Sequence, residues 1–255
     1  MIRFELCANG YESLLNGVDG GADCAELCEA LEVGGLTPSL GTLKRCAQIM
    51  QSTDVIHNIS PRRIPVRVLV RCRPGNYIYN DVEVAIMCED IKTIKDLGYE
   101  GVVIGALNAE GDLDVPAIKK MMASGDGMKF TFHRAIDACN NPLDAMETLI
   151  NLGFDKVLTS GCKPTAYEGI DMIREFQTLF GDRINIMAGG GINESNVERI
   201  ITATGICNVH ASLTSEVADN HSDLYPNGID NTGASMTYKV SNLIRITEFV
   251  DVINI

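Results

Sequence analysis

Short apolar runs that end in polar or glycine-rich loops recur eight times along the chain, at Arg3–Cys7, Asp23–Cys28, Pro65–Cys72, Glu100–Gly105, Met128–His133, Asp155–Ser160, Arg183–Ala188 and Ile206–His210. The intervals between them carry apolar residues at helical spacing, and a further helical pattern follows the last run. One such stripe is Val84, Met87, Ile91 and Ile94, with Asp90, Lys92 and Lys95 on the polar side. Strands alternating with helices predict parallel pairing through crossover helices. Eight units in 255 residues fit one α/β domain, a single TIM-type (β/α)8 barrel over residues 1–255. Such a barrel builds its site from the C-terminal ends of the strands, so chemistry is expected where these runs end.

Punctuation between the runs agrees. Gly98, Gly153 and Gly181 stand where helices should stop, and Asn140-Asn141-Pro142 and Asn193-Glu194-Ser195 resemble helix starts. Two stretches break the rhythm. Gln51–Ile64 is a long connection before the third run. Residues 214–236 form a polar loop, either solvated or a flap over the mouth, before a C-terminal helix at about Tyr238–Val252.

Alternate side chains of a barrel strand point inward. Glu5 and Glu26, on neighbouring runs, are poorly explained on apolar strands unless they face a polar mouth, where each carboxylate needs a cation, a proton or a metal. Arg71 and Arg73, two residues apart at the end of the third run, share a face and are the expected cations. His133 ends the fifth run and His210 the eighth, two of only four histidines in the chain. This convergence supports acid/base catalysis by His133 or His210, tuned by Glu5 or Glu26, or a divalent metal held by Glu and His, against a purely structural ion network. The glycine-rich ends of the sixth and seventh runs, with Ser160, Gly161, Gly189, Gly190, Gly191 and nearby Ser212, predict an anion site. No Lys falls at a strand's C-terminal end; Lys156 starts the sixth run on the closed side, which disfavours Schiff-base chemistry. Cys7 shares a face with Glu5 and Cys28 with Glu26, so the two thiols can meet across strands about 4.8 Å apart as a soft pair suited to Cu(I).

Charge narrows the partners. A formal net charge of −13 without a basic cluster argues against nucleic acid and anionic membranes. No apolar stretch is long enough to span a bilayer, and the N-terminus reads as a strand rather than a signal peptide. Nine cysteines, an odd number without a CxxC pair, predict free thiols in a reducing cytoplasm.

Several segments together resemble the CutC family of copper homeostasis proteins: Phe4-Glu5-Leu6-Cys7, Ala25-Glu26-Leu27-Cys28, Gly34-Gly35-Leu36-Thr37-Pro38-Ser39, Thr131-Phe132-His133-Arg134-Ala135-Ile136-Asp137, Val157-Leu158-Thr159-Ser160-Gly161, Ile186-Met187-Ala188-Gly189-Gly190-Gly191 and Val209-His210. The resemblance implies a cytoplasmic barrel, often a homo-oligomer, with a role in copper tolerance through Cu(I) binding or trafficking. It implies Cys7, Cys28 and Cys139 as copper ligands, and it adds Asp137, a further catalytic candidate, and Arg134 to the motif positions. Asn76 stands where the family's RPRGGDF segment has Asp, Ala8 where some relatives have a second Cys, and Arg67 where they often have His. Each removes a copper ligand. The expected function is therefore copper homeostasis with Cu+ as ligand. The alternative is a barrel enzyme performing acid/base or metal-assisted chemistry on a small phosphorylated or carboxylated anion.

Overall fold

The computed structural model describes residues 1–51, 63–217 and 237–254. Eight parallel strands close into a barrel in sequential order. They are β1 (Arg3–Asn9), β2 (Cys24–Cys28), β3 (Val66–Leu69), β4 (Gly101–Ile104), β5 (Lys129–Phe132), β6 (Lys156–Thr159), β7 (Asn185–Gly189) and β8 (Asn208–Ala211). The outer layer is α1 (Tyr11–Gly20), α2 (Leu40–Gln51), α3 (Asp81–Asp96), α4 (Val115–Ser124), α5 (Pro142–Leu152), α6 (Ile170–Phe180), α7 (Val197–Thr204) and α8 (Leu243–Ile253). The (β/α)8 expectation holds, and every expected run contains its strand except for shifts of a residue or two at the ends. Among the described residues no helix is long and apolar enough to cross a membrane.

Local sequence sets the boundaries. Asn80 and Glu83 close a reciprocal capping box at the start of α3. Asn141 caps α5 ahead of Pro142, whose missing N–H costs nothing in a first turn. Gly153 ends α5 with φ of 89°, a left-handed cap that side chains resist. Asn193 does not cap α7: its Oδ1 accepts from Ser195 N at 2.9 Å, and the helix starts only after Asn196.

The C-terminal region differs from expectation. Tyr238–Ser241 is not helical but a strand, β10, antiparallel to β9 (Thr214–Val217). Alternation in Tyr-Lys-Val-Ser suits a strand, and Asn242 then accepts from Ile244 N and Arg245 N to start α8. Thus the expected polar loop opens with strand residues 214–217. Its remainder, 218–236, and residues 52–62 of the long connection lie outside the described residues.

Apolar packing is divided by the sheet. Outward side chains such as Phe4, Leu6, Leu27, Val68, Ile104, Phe132, Val157 and Val209 join the helices in the main core. Phe4 meets Phe249 of α8 at a ring separation of 4.7 Å. Inside the barrel the only apolar cluster among the described residues is small, made of Cys7, Cys28, Leu69 and Val103 with Leu31 against it. The rest of the interior mixes charged groups with Thr131, Leu158 and Met187.

Candidate functional site

A column of buried polar groups runs up the barrel. At its base Arg67 donates to both Asp155 oxygens, at 3.0 and 2.5 Å, and to Thr131 Oγ1 at 2.5 Å. Above it Lys156 Nζ lies 2.7 Å from Glu5 Oε2. Glu5 Oε1 then meets His210 Nδ1 at 3.1 Å, and His210 Nε2 faces Glu26 Oε2 at 3.4 Å. Glu26 Oε2 accepts from Cys7 Sγ at 3.7 Å, and Cys7 Sγ lies 3.8 Å from Cys28 Sγ. The closed register produces this sequence of contacts, because Glu5 is opposite His210 across β1–β8 and Cys7 is opposite Glu26 across β1–β2.

Electrostatics follows the contacts. Burial acts to raise the Glu5 carboxyl, but Lys156 and His210 overcome it and hold Glu5 well below the carboxylate range. Burial raises Glu26, with His210 opposing. For His210 burial acts downward, yet Cys7, Glu5 and Glu26 lift it well above its ordinary value. The hydrogen bond to Cys28 and burial push the Cys7 thiol up. Cys28 and burial thus keep Cys7 a thiol at pH 7.

The upper part of the column fits a metal ion. Ligand atoms of Cys7, Glu26 and His210 all lie within 4.8 Å of one another. Two thiolate bonds of about 2.3 Å meeting at a tetrahedral angle span about 3.8 Å, which is the Cys7–Cys28 sulfur separation. Cys7, Glu26 and His210 line a cavity of about 350 Å³ at the barrel mouth.

Arg71, Tyr77 and His133 line another side of that cavity. Arg71 does not serve Glu5 or Glu26, contrary to the sequence expectation; Lys156 and His210 take that part. Its guanidinium instead donates to the carbonyls of Val33, Gly35 and Gly75 at 3.1, 3.0 and 2.8 Å. Thr37 Oγ1 accepts from Arg71 N at 2.9 Å. The Gly34-Gly35-Leu36-Thr37 segment is thus a cradle for one arginine. Its glycines adopt φ of 92° and 85°, and a Cβ on Gly34 would come within 3.2 Å of Arg71 Nη1.

His133 departs from the acid/base expectation. Its Nδ1 accepts from Ala135 N at 3.1 Å, so the ring proton belongs on Nε2. Burial and the Arg71 charge lower its pKa to about 3. It is a neutral donor at physiological pH, with its basic lone pair already used. The ring rests on Gly105, where a Cβ would lie 2.4 Å from it.

Five further expectations are corrected. Arg73 turns out of the mouth to pair with Glu83 at the start of α3, because that carboxylate is within reach. Asp137 does not enter the cavity; it accepts from Ser160 N and Oγ, Thr159 Oγ1 and Cys162 N, and pairs with Arg134 at 2.9 Å. The Ser160–Gly161 turn is consequently closed to an outside anion: Asp137 occupies the amides of Ser160 and Cys162, and Gly161 N donates to Thr159 Oγ1. Gly190, Gly191 and Ser212 do line the cavity, whereas Gly189 lies within β7 opposite His210. Cys139 sits after the turn that follows β5, donates to Ala135 O at 3.6 Å, and faces a separate surface recess with Asp112 and Asn141. It does not join Cys7 and Cys28.

Sequence reasoning missed Lys156, Arg67 and the Gly34–Gly35 cradle. Lys156 does start β6 at the closed end, but its four-carbon stem carries the ammonium inward to Glu5.

Comparison with known proteins places these features in a family context. A model of the CutC family matches residues 2–215. A protein named for that family from Bacteroides thetaiotaomicron is 40% identical over 215 residues, spanning 84% of this chain and 82% of its own. One from Aliivibrio fischeri is 41% identical over 213 residues, spanning 83% and 81%. The crystal structure of CutC from Streptococcus agalactiae, described as a candidate copper homeostasis protein, aligns with a TM-score of 0.75 at 32% identity over 83% of this chain and 99% of that one. Phosphoribosyl anthranilate isomerase from Thermococcus kodakaraensis shares the barrel alone, with a TM-score of 0.55 at 16% identity over 99% of each chain.

Proposed function

The chain belongs to the CutC family, and from that premise we propose that it serves copper homeostasis by binding Cu(I) between Cys7 and Cys28. The observation that carries this reading is the sulfur pair, 3.8 Å apart, with Cys7 lining the mouth cavity. Thiolates are soft ligands and favour Cu(I) over the hard ions that carboxylates take. His210 and Glu26 complete the surroundings as an imidazole and a carboxylate beside Cys7.

Binding requires the thiol protons to leave. Glu26 Oε2, hydrogen-bonded to Cys7 Sγ, is the adjacent base that relays the first proton toward the cavity. Glu5 and Lys156 lie beneath and hold His210 in place. Apolar Leu69 and Val103 surround the sulfurs and limit water at the ion. Such a pair works only while reduced, which suits a reducing cytoplasm.

The test is a Cu(I) competition titration against a chromophoric chelator, comparing the wild type with the Cys7→Ser plus Cys28→Ser variant. The variant is expected to lose the site. Equal affinity in both proteins would remove the thiolate reading.

A further inference from the structure

Arg71 is only 4% exposed, yet among the described residues no carboxylate forms an ion pair with it. Three main-chain carbonyls satisfy its terminal nitrogens, but carbonyls are dipoles and leave the unit charge uncompensated. Its Nε meets no acceptor in hydrogen-bond geometry, although the Tyr79 hydroxyl beside it interacts with the guanidinium. Within the same cavity wall the Nε2–H of His133, itself 5% exposed, is also unpartnered. Tyr77 links the two side chains, with the Arg71 guanidinium 5.3 Å from its ring centre and the His133 ring 4.8 Å away. A buried cation without a counter-ion and a buried donor without an acceptor describe a site that is complete only when an anion enters.

We propose that this corner of the mouth binds the carboxylate of a small organic acid, one oxygen against the Arg71 guanidinium and the other accepting from His133 Nε2–H. The single uncompensated charge matches a monoanion, which a carboxylate is and a phosphate monoester at neutral pH is not. Both donors are fixed before the ligand arrives: Arg71 by the Gly34–Gly35 cradle, His133 by its bond from Ala135 N. His133 stays neutral, so the ring donates without adding a second charge. The walls beyond the donors include Leu31, Leu69 and Ile192, which suit an apolar remainder. The site uses none of the proposed copper ligands and does not depend on the copper reading.

The experiment uses the full chain, stripped of copper. Thermal unfolding and NMR of histidine-labelled protein are recorded with sodium propionate, sodium benzoate and inorganic phosphate, each against chloride at equal ionic strength. Either carboxylate is expected to raise the Tm and move the His133 Nε2–H resonance more than chloride does. Arg71→Gln should abolish both responses and Arg71→Lys should retain part of them. His133→Phe, which keeps the cation and the ring shape, should weaken propionate binding by about tenfold, the worth of one hydrogen bond to a charged group. If Arg71→Gln does not fold, the His133→Phe comparison and the wild-type resonance decide. No carboxylate effect beyond chloride, an undiminished effect in His133→Phe, or an undiminished effect in a folded Arg71→Gln would overturn the proposal. A response to phosphate alone would overturn the carboxylate assignment.

Discussion

The sulfurs of Cys7 and Cys28 come within 3.8 Å although the two residues are not register partners: Cys7 is opposite Glu26, and Cys28 is opposite Asn9. The contact is diagonal across β1 and β2. It places a carboxylate, rather than a third thiol, directly beside the pair. Cu(I) bound as proposed would have to expel protons, since the hydrogen bond to Cys28 and burial keep the Cys7 thiol protonated through neutral pH. Affinity should therefore rise with pH, by about one decade per unit for each proton expelled. Competition titrations at pH 6, 7 and 8 check this, and a flat profile would exclude thiolate ligation.

Cys139 offers the opposite expectation. Its sulfur is bonded to Ala135 O and opens on a separate recess. Cys139→Ser should leave Cu(I) affinity within about twofold, while Cys28→Ser alone should lower it by about 100-fold or more, as expected when a soft ligand is replaced by a hard one. A large loss in Cys139→Ser would relocate the site.

What the sequence could reveal divides along the same line. The short apolar runs located all eight strands, because each ends in a polar or glycine-rich loop. Their topology brought Glu26, Arg71, His133 and His210 to one mouth cavity, whereas Glu5 faces a lower cavity with Arg67 and Lys156. Partner choice was not legible. Glu5 takes Lys156 from 151 residues away, a pairing set by side-chain length and barrel closure rather than by spacing. Arg71 looked like a counter-ion, and among the described residues no carboxylate pairs with it. Ser160 and Gly161 looked like an anion cradle; the amides of Ser160 and Cys162 do hold an anion, but it is Asp137 of this same chain, and Gly161 N goes to Thr159. In each case the residue type announced the chemistry and only the closed register decided which group received it.

The Glu5–Lys156 pair makes a prediction on stability. Both side chains are buried, so removing Lys156 takes away one of the cations that offset the Glu5 charge and leaves it to His210. Lys156→Met should cost about 3–5 kcal/mol in chemical denaturation. Adding Glu5→Gln to Lys156→Met should recover part of the loss, because the stranded carboxylate is then gone. A double variant as unstable as the sum of both single changes would mean that the two groups act independently.

The acid limb of stability isolates His133. Its folded pKa lies at about 3, through burial and the Arg71 charge, against about 6.5 in an unfolded chain. Below pH about 6.5 the unfolded chain takes up a proton that the folded ring refuses, so stability falls by about 1.4 kcal/mol per pH unit. Glu5 adds to this only below about pH 4.3, the unfolded value, since its contribution is present above that pH and lost as pH falls further. His210 runs the other way: its raised pKa gives stability fully present below about pH 6.5 and lost as pH climbs toward the folded value. The stability of the wild type should thus peak near neutrality and decline on both sides. His133→Phe removes the first of these terms alone. Between pH 6.5 and 5 its unfolding free energy should fall by about 2 kcal/mol less than that of the wild type, measured as urea midpoints at fixed salt. Identical slopes in the two proteins would mean that His133 is protonated in the fold, and its role as a neutral donor would go with it.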